Sequence, residues 1–245
     1  MMGAMTTRIR CGGKPMTAIV LAGGRGRRMR ADKAGLDVGG RTLLEHVLAQ
    51  IAPYFDEVLV SVSPGQTPMP AFRAGRPRRL RSGARSGGSP AASRFIEDET
   101  PDQGPIGGLL SGLKSAANEA CAVIACDIPD IDISFLRSLA QAIKGFEIAV
   151  PLGPSGLHEP LFAIYRKSVV GEIESLLGTG ERSILPLYDR CRTDLVRFGE
   201  SGRLRNLNTR EEYEAYLRSM GDRRKGTKKG EGRRGKRLQR PSGSR

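Results

Sequence analysis

The sequence contains no tryptophan, and aromatic residues make up only 5% of its 245 positions. A core formed by this chain must therefore rest on Val, Ile, Leu and Ala, which suits a parallel sheet buried on both faces. Cysteine is also sparse. Cys11, Cys121, Cys126 and Cys191 make no C-x-x-C pair and have no histidine at ligand spacing. That argues against a cysteine-based metal site and for free thiols in a reducing cytoplasm. No apolar run approaches the roughly 18 residues of a membrane helix, so no membrane association is expected. Residues 1–15 lack the apolar stretch of a secretory signal and are expected to be a disordered extension, or to precede a natural start near Met16. A Ser/His/Asp arrangement is missing too.

Acidic residues are few beside basic ones, 26 against 40, for a net charge of +14. Such a balance invites a nucleic-acid reading, but its distribution argues otherwise. Residues 222–245 carry +9, residues 73–94 carry +7, and the remainder is left at −2. The basicity lies in two appendages, a C-terminal tail and a flexible insertion expected at 64–93, both poor in apolar residues and expected to be disordered. Such a tail can bind polyanions non-specifically; specific nucleic-acid recognition is not expected.

The chain's 38% hydrophobic content supports one sizeable domain, expected over residues 16–221. Thr17–Leu21 is an apolar run ending in glycines and reads as a buried strand. Thr42 and Glu45 have capping-box spacing ahead of an apolar helix face at Leu43, Leu44, Val47, Leu48 and Ile51. Strands are expected at 57–62, 94–96, 121–126, 148–150, 161–165 and 193–198. Helices are expected from Pro105, from a cap at Ser134, near 169–177 and at 211–220. The alternation implies a right-handed, mainly parallel α/β sheet. Such sheets bind ligands beyond the carboxyl ends of their strands, so the informative residues are Gly23–Lys33, Asp98 and Asp127.

Leu21-Ala22-Gly23-Gly24-Arg25-Gly26-Arg27-Arg28-Met29, then Asp32-Lys33, follows the first strand. Glycine lets backbone approach phosphate closely. Arg28 and Lys33 can neutralise phosphate charge. The run is neither a G-x-x-x-x-G-K-[ST] loop nor G-x-G-x-x-G.

L-A-G-G-x-x-x-R-M followed by D-K resembles the nucleotide-binding signature of the molybdenum cofactor guanylyltransferases, in the MobA-like nucleotidyltransferase family. Gly104-Pro105-Ile106-Gly107-Gly108, Cys126-Asp127-Ile128-Pro129, Glu159-Pro160-Leu161-Phe162-Ala163 and Asn206-Leu207-Asn208-Thr209 resemble further blocks of that family, in its order, over roughly residues 17–217. The resemblance implies a Rossmann-like three-layer α/β sandwich of the nucleotide-diphospho-sugar transferase type. It implies transfer of GMP from GTP to the phosphate of molybdopterin, with Mg²⁺ as cofactor. Leu21, Ala22, Gly23, Gly24, Lys33, Asp98 and Asp127 would bind the nucleotide, with Asp127 also holding the metal. Asp127, Lys33 and Arg28 would serve catalysis. Asn206 and Asn208 match the pterin side, and His158 lies near it. The resemblance also implies molybdoenzyme maturation proteins as partners. Relatives that use CTP commonly read L-A-A-G, so Gly23 favours GTP.

Three departures stand out. Arg30 replaces a usual glycine, Gly35 loosens a usually apolar stretch, and residues 64–93 exceed the usual connection. Two other readings remain open. One is a sister enzyme acting on another phosphorylated acceptor, whether molybdopterin with CTP, a sugar phosphate or a cobinamide phosphate. The other is an inactive relative that binds nucleotides or polyanions.

Overall fold

The computed structural model describes residues 7–23, 33–65, 93–198 and 204–221. Seven strands form one sheet: β1 (Thr17–Leu21), β2 (Glu57–Val62), β3 (Ser93–Glu97), β4 (Ala120–Ala125), β5 (Ile148–Leu152), β6 (Phe162–Arg166) and β7 (Thr193–Arg197), in the order β3-β2-β1-β4-β6-β5-β7. All pairings are parallel except those of β6, which runs antiparallel to both β4 and β5.

Strands β1 and β4 are buried at every residue, which is why they read as unbroken apolar runs. Side chains alternate across the sheet and sort into two apolar layers. Ala18 and Val20 of β1 join the layer under α1 (Leu43–Ile51) and α3 (Ile133–Ala142). Ile19 and Leu21 join the layer under α2 (Pro105–Ser115), α4 (Val170–Gly178) and α5 (Leu187–Arg190). The fold is therefore the expected three-layer sandwich, and its core is Val, Ile, Leu and Ala with few aromatics.

Helix starts follow local chemistry. At α1, Glu45 N–H donates to Thr42 Oγ1 at 3.1 Å and Thr42 N–H to the Glu45 carboxylate at 3.0 Å, completing the capping box. Helix α3 departs from expectation, because its cap is Asp132 and not Ser134. The Asp132 carboxylate accepts from Phe135 N–H at 2.9 Å, and the Ser134 hydroxyl donates to the same carboxylate. Ser134 is already the second residue of the helix, whereas Asp132 has the extended backbone of an N-cap. Helix α2 begins after Gly104, whose φ of 68° an L side chain rarely adopts. Its Gly112 lies so close to β1 that an added Cβ would stand 2.6 Å from Ile19 Cγ2.

The expectation of a disordered extension at 1–15 fails for residues 7–15. Ile9 is buried, and its N–H donates to Tyr54 O at 2.8 Å. Arg10 pairs with Asp56 at 3.2 Å, and the Arg8 guanidinium donates to Phe55 O. Isolated apolar residues at Ile9 and Cys11 carry no periodic signal, yet each fills a place in the layer under α1. The expected insertion lies outside the described residues over 66–92, and so do the tail at 222–245 and Arg30; Ser93 already belongs to β3.

A second compact unit begins at Leu207. Its helix α6 spans 210–221. Glu212 N–H donates to Thr209 Oγ1 at 3.2 Å, while the Glu212 carboxylate accepts from Thr209 N–H at 2.9 Å and Asn208 N–H at 2.6 Å. Thr209 is thus the N-cap.

The Gly112–Ile19 approach gives a stability prediction. Alanine in a helix interior normally gains about 0.5–1 kcal/mol over glycine. Here the new methyl meets a β-branched side chain with little freedom, and overpacking costs roughly 1–3 kcal/mol. Gly112→Ala is expected to lower the thermal midpoint by several degrees, measured by circular dichroism; a midpoint raised above the parent would show that the helix retreats freely.

Candidate active site

Strand β1 is held between β2 and β4 in one register, with Leu21 opposite Ser61 on one side and Ala125 on the other. Three carboxyl ends therefore finish level. Backbone bonds tie them beyond the sheet: Ala22 N–H to Ser61 O at 2.9 Å, Cys126 N–H to Leu21 O at 3.1 Å, and Asp98 N–H to Val62 O at 3.0 Å. This edge gathers Leu21, Ala22, Gly23, Asp98 and Asp127.

Gly23 has a packing reason to be glycine. A Cβ there would stand 2.9 Å from both the N and Oγ of Ser63 at the exit of β2. The small residue is needed by the fold whichever nucleotide is bound.

Lys33 opens a short 3₁₀ turn, Lys33–Gly35. Its Nζ stands 2.9 Å from Asp127 Oδ2, with the side chains 17% and 20% exposed. An ammonium and a carboxylate separated by 94 positions in sequence thus share one site at the strand ends. Gly24 and Arg28, in the connection before Lys33, lie outside the described residues.

Asp98 follows β3. Burial pushes its carboxyl above the ordinary carboxylate range, and a hydrogen bond from Ser61 opposes that. Ser61 is itself buried. The first turn of α2 comes down over this pair: a Cβ on Gly108 would stand 3.0 Å from Ser61 Oγ and 3.5 Å from Asp98 Oδ1. Gly108 lets a helix N-terminus, favourable to negative charge, approach the carboxylate.

Strand β6 brings in the second half of the site. Ala125 N–H donates to Leu161 O at 2.7 Å and Phe162 N–H to Glu159 O at 3.1 Å, so the turn before β6 faces the exit of β4. Burial pushes the Glu159 carboxyl upward, a hydrogen bond from the Asn206 side chain opposes this, and the Asp127 charge adds to the rise. Asn206 Oδ1 is buried without a hydrogen-bond partner. His158 pairs with Leu152 across a β-bridge, and its ring lies 5.1 Å from that of Tyr188. Burial pushes the phenol of Tyr188 far above its usual range. Asn208 belongs to the second unit.

Sequence reasoning did not single out Ser61 or Glu159 as site residues. Ser61 looks like a polar residue in a buried strand, and Glu159 like the residue before a strand; only the pairing of distant strands gives them neighbours. Among the described residues no three of His, Cys, Asp and Glu converge as a metal cluster, and no helix is long and apolar enough to cross a membrane. Their four cysteines are all buried, and none forms a disulfide.

Residues 18–192 match the family model of the MobA-like NTP transferase domain. The molybdenum cofactor guanylyltransferase of Syntrophotalea carbinolica is 31% identical over 82% of this chain and 90% of its own. That of Vibrio cholerae is 30% identical over 81% and 89%. A solved structure of the molybdopterin-guanine dinucleotide biosynthesis protein A from Archaeoglobus fulgidus aligns with a TM-score of 0.63 and 24% identity, covering 84% of this chain and 99% of that one, a likeness of fold.

The buried Asp98 carboxylate yields a prediction with a defined sign. Its folded pKa is raised above the ordinary 3.8, so its contribution to stability is present below that value and is lost as pH rises through the folded one. Asp98→Asn keeps an acceptor for Ser61 and removes the charge. Its thermal midpoint is expected at or above the parent's at pH 7, with the difference vanishing on acidification below about 4. A midpoint well below the parent's at pH 7 would contradict the burial argument.

Proposed function

The chain belongs to the MobA-like NTP transferase family and is a nucleotidyltransferase, and we propose that it transfers GMP from GTP to the phosphate of molybdopterin, releasing pyrophosphate. The observation that carries this reading is the Lys33–Asp127 pair at 2.9 Å, set at the level ends of β1 and β4. An ammonium for the phosphates and a carboxylate for a cation stand together where an α/β sheet binds nucleotides. The two guanylyltransferase relatives support the choice of substrates. A cytoplasmic setting, where GTP is at hand, accords with it.

The reaction joins a phosphate oxygen of the acceptor to the α-phosphorus of GTP while the bond to pyrophosphate breaks. The attacking oxygen is already anionic, so no strong general base is required, and catalysis is mainly positioning and charge neutralisation. Lys33 supplies a point charge to the triphosphate, and Arg28 a second cation from the connecting segment. Gly23 and Gly24 let backbone approach the phosphates. Asp98, under the first turn of α2, faces the nucleoside. Asn206 and His158 serve the acceptor side. Magnesium is the implied cofactor, and the donors fit it: the Asp127 carboxylate and the buried, unpartnered Asn206 Oδ1 are hard oxygens of the kind it prefers. When bound, it would neutralise charge on the phosphates.

Pyrophosphate release with purified substrates tests the reading. Release is expected with GTP only when molybdopterin is present, and only weakly with CTP or ATP. Asp127→Asn should lower kcat/KM about a hundredfold or more, with unchanged circular dichroism. Lys33→Met should raise the KM for GTP about tenfold, the loss of one charge-assisted contact. Equal release with CTP would overturn the nucleotide assignment, and release with another phosphorylated acceptor but not molybdopterin would overturn the acceptor.

A further inference from the structure

We infer that Glu159 is a second carboxylate ligand of the divalent-cation site at Asp127, held in place by Asn206. The inference rests on the nucleotidyl-transfer reading but reaches a residue to which that reading gives no role.

Antiparallel pairing of β4 and β6 sets Ile124 opposite Phe162. Beyond that pair, Ala125 N–H donates to Leu161 O at 2.7 Å. Asp127 lies two positions after Ala125 and Glu159 two before Leu161, so the two carboxylates leave adjacent strands at one end of the sheet. Phe162 N–H donating to Glu159 O at 3.1 Å and Glu159 N–H donating to Pro151 O at 3.1 Å fix the backbone that carries Glu159.

The second observation is Asn206. Its side chain hydrogen-bonds the Glu159 carboxyl. An ionised carboxylate only accepts, so the amide nitrogen must face it. That fixes the other end of the amide, and Asn206 Oδ1 is left buried with no hydrogen-bond partner. A buried acceptor without a donor is costly. Asp127, Glu159 and Asn206 Oδ1 therefore present accepting oxygens, with the Asp127 carboxylate beside the ammonium of Lys33. A cation satisfies such a set; an anion or a second acceptor does not. The set is also the right size for magnesium, which takes one or two carboxylates from the protein and fills the rest of its shell with phosphate oxygens and water.

Manganese binding, followed by the electron paramagnetic resonance signal of free Mn²⁺, tests this without turnover. The full chain is titrated with Mn²⁺ alone and with Mn²⁺ plus the α,β-methylene analogue of GTP. Glu159→Gln, which keeps an acceptor for Asn206, is expected to weaken Mn²⁺ binding about tenfold in the presence of the analogue. Glu159→Asp, with the charge drawn back by one methylene, should fall between Glu159→Gln and the parent. Glu147→Gln, far along the sheet at the start of β5, should bind as the parent does. Should both Glu159 variants bind Mn²⁺ within twofold of the parent while Asp127→Asn does not, Glu159 is no ligand and the inference fails, although the nucleotidyl-transfer reading stands. Parent-like binding by Asp127→Asn itself would remove the cation from this edge of the sheet and overturn both.

Discussion

The common register of three parallel strands is the constraint on which the rest depends. Because Leu21 stands opposite both Ser61 and Ala125, the chain leaves β1, β2 and β4 at one height. Short backbone bonds continue the sheet's pattern for a residue beyond each end. Much of the site is hung from those exits: Gly23 after β1, Ser61 and Ser63 at β2, and Cys126 and Asp127 after β4. A slip of β4 by one residue would turn its alternate side chains to the other face. It would also carry Asp127 away from Lys33.

Close packing keeps that edge compact. Glycine occurs where two elements must approach within a methyl group of each other: Gly23 against Ser63, Gly108 over Ser61 and Asp98, and Gly112 against Ile19. The same closeness shields Asp98 and raises its pKa. Fold and site therefore draw on one feature, a helix N-terminus lowered onto the ends of buried strands. The polar partners that make burial tolerable, Ser61 for Asp98 and Asn206 for Glu159, sit beside their carboxylates.

Much of this was legible before any coordinates. Unbroken apolar runs marked β1 and β4, a Thr-x-x-Glu spacing marked α1, and a proline after glycine marked α2. The loop after β1 and Asp127 were legible as chemistry because they combine charge or glycine with a strand end. What escaped notice depended on contacts distant in sequence. Glu159 acquires its neighbour only because β6 runs antiparallel beside β4, and Ser61 meets Asp98 across 37 positions. Ile9 and Cys11 were misjudged because single apolar residues in a polar segment have no period to reveal them. Ser134 is not the cap because the helix starts one residue before it, and Asp132 holds the extended position that a cap requires. Gly23 was read for nucleotide choice, while its geometry answers first to Ser63.

The central claim is that Lys33 and Asp127 act on one triphosphate in one pocket. A double-mutant cycle on kcat/KM for GTP, with Lys33→Met, Asp127→Asn and the pair, measures that directly. Residues serving a common ligand at 2.9 Å should be coupled by about 1 kcal/mol or more, with the double variant well short of the product of the single losses. Losses that simply multiply, with a coupling within about 0.3 kcal/mol of zero, would mean that the two groups act apart and would contradict the account.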